Sequence, residues 1–323
     1  MDLVKEISIK DMEGVSIGHA QNDEAKTGVS VLYFKNGAQA GCDISGGGPA
    51  SRETPLTDPL TADNPLNAVV LSGGSAYGLA ASDGVMRCLE EHGIGYNTGY
   101  ALVPLVCQSC IFDLGYGKNN VRPNADMGYE ACKKALEICD DSLGNIGAGT
   151  GASVGKLLGM KQAMKAGLGI HAIQVGELQI AAVVVVNAFG DIFNPENGQK
   201  VAGLLDPSRQ SFLDLEQIFL SYFAAPRDMF NSNTTIGCII TNAKFDKAKL
   251  NKIASMTRNA YARCINPVGT MADGDSIYAC SVGEVVSDVN LVGTLSAKVM
   301  QKAILKAIEA SKLPDEEYLS HCL

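Results

Sequence analysis

Ile170-His171-Ala172-Ile173-Gln174-Val175-Gly176-Glu177-Leu178-Gln179-Ile180-Ala181-Ala182-Val183-Val184-Val185-Val186-Asn187 holds two runs rich in β-branched residues, parted by a glycine and a glutamate. Residues 170–175 and 179–187 read as strands, and Gly176-Glu177 reads as the tight turn of a hairpin between them. A hairpin followed by further strands favours a mixed or antiparallel sheet over a purely doubly wound parallel one. The seven residues 180–186 are all apolar, far short of the roughly 20 that a membrane-spanning helix needs.

Outward from this hairpin, the clearest further strands are 29–34, 68–71, 236–241 and 277–282. Helical periodicity recurs at 75–91, closed by Gly93, and at 127–139, 211–223, 246–263 and 294–310. Strands and helices are interspersed throughout, which predicts a layered α/β or α+β fold. No linker-like segment and no internal repeat divides residues 1–323, so they read as a single domain.

Hydrophobic residues make up 46% of the 323 and charged residues 19%, enough for a large core and too apolar for a disordered chain. Lysine and arginine number 26 against 35 acids, a net charge of −9 with no basic cluster, which argues against a nucleic-acid partner. The first residues, Met1-Asp2-Leu3-Val4-Lys5-Glu6, carry charges where a signal peptide would be apolar. A cytoplasmic protein without a membrane partner is therefore expected, and its ten cysteines are expected to be free thiols. Cys107 and Cys110 form the one C-x-x-C pair, and His19, His92, His171 and His321 are remote from it. No metal site and no cofactor are expected.

Glycine clusters at 46–48, 73–74 and 147–151 mark tight turns or closely packed backbone. Gly147-Ala148-Gly149-Thr150-Gly151-Ala152 fits the dinucleotide pattern, but turn residues rather than a strand precede it, so a close-packed turn is expected. Ser153-Val154-Gly155-Lys156 and Lys26-Thr27-Gly28 match two elements of penicillin-recognising enzymes in the wrong order, which leaves Ser153 a minor candidate nucleophile. Ser75 lacks the glycine a nucleophile elbow would place at 77 and reads as a helix N-cap.

The polar stretch Asn231-Ser232-Asn233-Thr234 runs directly into a buried-looking strand. Asp273-Gly274-Asp275 places two carboxylates around a glycine just before another strand, and Asn187 closes the most apolar one. A side-chain amide there must be hydrogen-bonded if it is buried.

These segments, in this order, resemble the self-cleaving DmpA-type L-aminopeptidase/D-esterase family, which includes the nylon-oligomer hydrolases. The resemblance begins at Gly14-Val15-Ser16-Ile17-Gly18-His19 and Thr27-Gly28-Val29-Ser30-Val31. It continues through Gly46-Gly47-Gly48-Pro49 with Arg52-Glu53-Thr54, and Leu71-Ser72-Gly73-Gly74-Ser75-Ala76-Tyr77-Gly78-Leu79 with Asp83-Gly84-Val85. It ends with Asn233-Thr234-Thr235 and Asn266-Pro267-Val268-Gly269-Thr270-Met271-Ala272-Asp273-Gly274-Asp275.

The resemblance implies a four-layer αββα sandwich and a precursor that cuts itself between Asn233 and Thr234, giving an α chain 1–233 and a β chain 234–323. It also implies a homo-oligomer of such α/β pairs. Thr234 becomes the N-terminal nucleophile, Asn187 matches the oxyanion-hole asparagine, Lys156 the active-site lysine, and Asp273 and Asp275 the acidic pair.

Physical chemistry suits these roles. A threonine hydroxyl is a weak nucleophile that needs a base, and an α-amine with a pKa of about 7.7–8.0 is partly neutral at cellular pH. An Asn187 donor on the oxyanion would contribute about 3 kcal/mol, and Lys156 would favour the neutral amine. The two aspartates would orient the Thr234 hydroxyl and amine. One oxyanion hole would then serve both maturation and turnover.

The aminopeptidase branch of that family holds the substrate's free amine with a glutamate and a tyrosine, whose positions match Cys110 and Phe112 here. Hydrolysis of small peptides, amides or esters with weak preference for a free α-amine is therefore expected. An acyltransferase using the same threonine, as in ornithine acetyltransferase, and a catalytically silent oligomeric binding protein are the alternatives.

Overall fold

The computed structural model describes residues 3–221 and 233–323. Ten strands build the main sheet: β1 (Lys5–Ile7), β2 (Val15–Asn22), β3 (Thr27–Ile44), β4 (Ser51–Arg52), β5 (Leu66–Ser72), β6 (Val106–Cys110), β7 (Leu168–Val175), β8 (Leu178–Val185), β9 (Ile236–Ala243) and β10 (Ser276–Val285). Their order is β1-β7-β8-β9-β10-β3-β5-β6-β4, with β2 also paired to β3. Four helices cover the strands: α1 (Ala81–Glu91), α2 (Ala125–Glu137), α3 (Lys247–Cys264) and α4 (Val289–Ala310).

The 18-residue β3 is the joint of the architecture. Its first half, 27–34, pairs with β2 and β5, whereas 39–44 pairs with β10. Between the halves the register shifts, and Gly37 takes a φ of +75°, a conformation that costs glycine little. One strand thus passes from one sheet layer to the other. The pairing is mixed, as the hairpin predicts: β7–β8 and β8–β9 are antiparallel, and β9–β10 is parallel.

The β7–β8 turn is the two-residue Gly176-Glu177 link, with Val175 opposite Leu178 and Gly176 at φ +59°. Side chains of β8 alternate between two apolar interfaces. Ile180, Ala182, Val184 and Val186 join the core under α3 and α4, and Ala181, Val183 and Val185 join the core between the sheets. This explains the unbroken apolar run 180–186. With both faces apolar, alternation cannot set the register there, and the short turn does so instead.

A third apolar core, built on Val29, Val31, Val70, Val85 and Leu89, lies under α1 and α2. Three cores separate four layers, so the fold is an αββα sandwich.

The helix expected over 75–91 is a 3-10 helix, Ser75–Ala80, followed by α1, and Gly93 is at φ +73°. Gly74 rather than Ser75 caps this segment, because the chain turns in at a φ of +83°. Asp246 and Asp288 cap α3 and α4 through their side chains, so α4 starts five residues earlier than its periodicity suggests. Of the helix expected over 211–223, Leu215–Ser221 is helical, and residues 222–223 lie outside the described residues. Among the described residues no helix is long and apolar enough to cross a membrane.

Candidate active site

Strand adjacency brings the candidate residues to one end of the sheet. Val185 near the end of β8 pairs with Ile236 at the start of β9, and Ile236 pairs with Ser276 at the start of β10. Asn187 lies just after β8, Thr234 just before β9, and Asp273 and Asp275 just before β10. The three segments therefore meet, although 46 and 39 residues separate them along the chain (233 − 187 and 273 − 234).

Asn233 and Thr234 are buried and held on every side. Asn233 forms a parallel bridge with Asp273: its N–H donates to Ala272 O at 2.7 Å, and the Gly274 N–H donates to Asn233 O at 2.8 Å. The Thr234 N–H donates to Asn187 O at 3.0 Å, and the Thr234 hydroxyl donates to the carbonyl oxygen of Asn233. The candidate nucleophile and the candidate scissile carbonyl are thus in direct contact.

The hydrogen-bond partners of the two aspartates lie in the segments around Thr234. Asp275 accepts from Thr235 N at 2.6 Å and Gly269 N at 3.0 Å. Asp273 accepts from Thr270 N and Oγ1 at 3.0 and 2.6 Å, and from Phe189 N at 3.4 Å. In the uncut chain the two carboxylates hold the residue after Thr234 and the 270–273 turn. Burial, together with the charge of Asp273, pushes the Asp275 carboxyl up to about 7.

Lys156 is buried, and its Nζ donates to Asn187 Oδ1 at 2.8 Å and Asn187 O at 3.1 Å. Burial lowers its ammonium to about 7, against the opposing pull of Asp273, Asp113 and Asp275. Asn187 Oδ1 also accepts from Ser153 N at 3.1 Å, which turns its Nδ2 toward Phe112 O at 2.9 Å. The group that donates to Asn233 O from across the site is the Gly274 amide, because two donors fix the Asn187 amide the other way round.

A pocket of about 100 Å³ opens beside the candidate scissile bond, lined by Phe112, Asp113, Ser153, Lys156, Met160 and Asn233 among others. An open groove of about 440 Å³ along β1 is larger, but its walls include none of the residues gathered around Thr234. Phe112 lines the pocket. Cys110 does not: it lies on the α1-facing side of β6, with its thiol against Ser72 Oγ at 3.1 Å, and burial pushes that thiol up to about 12.

Sequence reasoning missed two participants. Asp113, 5% exposed, brings a carboxylate to the pocket and accepts from Thr27 Oγ1 at 2.6 Å and Gly74 N at 2.7 Å. Those partners lie 86 and 39 residues away, so no local spacing announces it. Gly274 had a signal, the glycine between the two aspartates: a Cβ there would lie 2.7 Å from Thr234 Oγ1 and from Gly48 O. The 46–48 glycines back this loop, Gly46 and Gly48 donating to Asp275 O and Asp273 O at 3.2 and 2.8 Å. The turn at 147–151 is close-packed, a Cβ on Gly149 falling 2.3 Å from Leu168 N.

Comparison with known proteins places this geometry in context. The sequence model of peptidase family S58 matches residues 8–314. An uncharacterized aminopeptidase of Mycobacterium tuberculosis is 35% identical over 330 residues, covering 93% of each chain. A 6-aminohexanoate-oligomer endohydrolase of an Agromyces species is 30% identical over 315 residues, covering 92% of this chain and 84% of its own. The L-aminopeptidase D-Ala-esterase/amidase of Ochrobactrum anthropi, described as a variant of the Ntn hydrolase fold, superposes with a TM-score of 0.68. It covers 94% of this chain and 86% of its own at 16% identity, a likeness of fold.

Proposed function

This chain belongs to peptidase family S58, and from that premise we propose that it cuts itself between Asn233 and Thr234 and then hydrolyses amides with Thr234 as an N-terminal nucleophile. The observation that carries the proposal is the contact of the Thr234 hydroxyl with the Asn233 carbonyl, whose oxygen the Gly274 N–H already holds.

In maturation, Thr234 Oγ1 attacks the Asn233 carbonyl carbon, and the Gly274 amide stabilises the oxyanion that forms. The C–N bond breaks, the departing Thr234 nitrogen takes the hydroxyl proton, and an ester remains on Oγ1. Water then hydrolyses the ester, leaving a carboxylate on Asn233 and a free hydroxyl and amine on Thr234.

In turnover the freed amine is the base for its own hydroxyl. Its nitrogen is already directed at Asn187 O, at 3.0 Å. Lys156, when protonated, disfavours a second positive charge nearby and so favours the neutral amine. An amide nitrogen carries two hydrogens, so Asn187 Nδ2 can keep Phe112 O and still donate to a substrate oxyanion. Small peptides, amides or esters are the proposed substrates, in keeping with an aminopeptidase and an oligomer hydrolase among the relatives.

Intact mass and Edman sequencing of the purified protein test the proposal. Two pieces of 233 and 90 residues (323 − 233), the smaller beginning Thr-Thr-Ile-Gly-Cys, are expected. An uncut chain that still hydrolyses amides would refute the mechanism.

A further inference from the structure

Two walls of the pocket come from segments that share no direct hydrogen bond among the described residues. One is 112–117, which puts Phe112, Asp113 and Gly115 on the pocket, and the other is 159–160. Gly117 and Gly159 take φ of +79° and +92°, where glycine holds the backbone least firmly. The walls meet at a seam: a Cβ on Gly115 would lie 3.0 Å from Met160 Cγ. Residues 315–323 do not line the pocket, yet they bind both sides of that seam. The Leu323 N–H donates to Gly115 O at 3.1 Å, and the Gly117 N–H donates to His321 O at 2.7 Å. On the other wall the Tyr318 hydroxyl donates to Met160 O at 3.0 Å, and the Cys322 thiol lies 3.7 Å from the same oxygen. The segment is itself anchored. Tyr318 is buried and stacks on Tyr116, and Arg209 joins Asp315 at 2.8 Å to Lys161 O at 2.7 Å and Ala163 O at 2.9 Å.

Resting on the self-processing reading above, we infer that residues 315–323 are a specificity-determining element of the substrate pocket, holding its two walls together and so limiting the size of the substrate group it accepts. The reason lies in what the walls have without them. Gly115 O would lose its donor, and Met160 O would keep only the Ala163 N–H of its own turn, at 3.2 Å. Neither bond crosses the seam, so the walls could part. One methylene more or less of room in an apolar pocket changes kcat/KM by about 10–200-fold, so a slight parting reads out as altered selectivity. Both walls belong to residues 1–233 and the segment that joins them to 234–323. After the proposed cut, the pocket is therefore held in shape by both pieces together.

Two variants of the full-length protein test this. Tyr318→Phe removes one oxygen and keeps the ring on Tyr116, and deletion of 321–323 removes the bonds to Gly115 and Gly117. Two substrate pairs grade size on either side of the attacked carbonyl: p-nitrophenyl acetate against p-nitrophenyl phenylacetate, and alanine amide against alanine benzylamide. The ratio of kcat/KM within a pair does not depend on how much of a preparation is correctly folded, so a merely structural loss leaves it unmoved. Intact mass is read on the same preparations.

Two pieces are expected from wild type and from both variants, because residues 315–323 make no hydrogen bond to Thr234 or Gly274. The larger-to-smaller ratio in at least one pair should rise threefold or more in Tyr318→Phe and tenfold or more in the deletion. If the deletion variant does not fold, Tyr318→Phe decides alone. Two pieces with both ratios within twofold of wild type would overturn the role of residues 315–323 and leave self-processing standing. A wild type that stays in one piece and hydrolyses none of the four substrates would remove both.

Discussion

The Gly274 amide donates to the carbonyl oxygen of Asn233 at 2.8 Å, while the Asn187 amide, expected in that role, donates to Phe112 O at 2.9 Å. In the proposed mechanism, oxyanion stabilisation is divided between a backbone donor already seated on the chain's own carbonyl and a side-chain donor turned to the pocket wall. The predictions below depend on that division.

Thr234→Ala should remain one chain and be inactive, since both nucleophile and base precursor are lost. Thr234→Ser should still be cut, because a primary hydroxyl can make the same attack. Mass spectrometry reads both, and cleavage of the alanine variant at this bond would exclude Thr234 as the nucleophile.

Asn187→Ala should still mature, within about tenfold of the wild-type rate, because the Gly274 N–H stays on Asn233 O. Its turnover, measured on cleaved protein, should fall about 10²–10³-fold. Equal losses in both steps would show that a single oxyanion hole serves them, as the sequence alone suggests.

Gly274→Ala places a Cβ 2.7 Å from Thr234 Oγ1 and from Gly48 O. Self-cleavage should slow by at least 100-fold while the circular dichroism spectrum stays that of the wild type. A rate within threefold of wild type would mean that the hydroxyl's position does not limit cleavage.

Asp275, with its carboxyl raised to about 7 by burial and by Asp273, binds a proton in the folded state that the unfolded chain releases above about pH 4. Its contribution to stability is therefore full below that pH and is lost as pH rises toward 7. In urea titrations from pH 4 to 7, Asp275→Asn should lose less stability with rising pH than the wild type, by a difference on the order of a few kcal/mol. Parallel curves would show that the carboxyl titrates normally.

Lys156 has the opposite sign. Burial lowers its ammonium to about 7, so from there to its ordinary range near 10.5 the unfolded chain holds the extra proton, and stability rises with pH. Lys156→Met should remove that rise between pH 7 and 10, as read by denaturant midpoints. An unchanged slope would place the proton on Lys156 throughout that range.

Much of this protein was legible in its sequence. The hairpin 170–187 and the β-branched runs announced a mixed sheet, because strand propensity, two-residue turns and apolar runs are local properties of the chain. Thr234, Asn187, Lys156 and the aspartate pair could be picked out by their resemblance to a family pattern, and strand adjacency brings them to one end of the sheet. What each of them touches was decided by tertiary structure. The Asn187 amide was turned by Lys156 Nζ and Ser153 N, Cys110 was sent to the far face of β6 by strand alternation, and Asp113 was drawn to the pocket by Thr27 and Gly74. Hydrogen-bond direction and burial depend on groups dozens of residues away, and no spacing along the chain encodes which of two faces a neighbour will occupy.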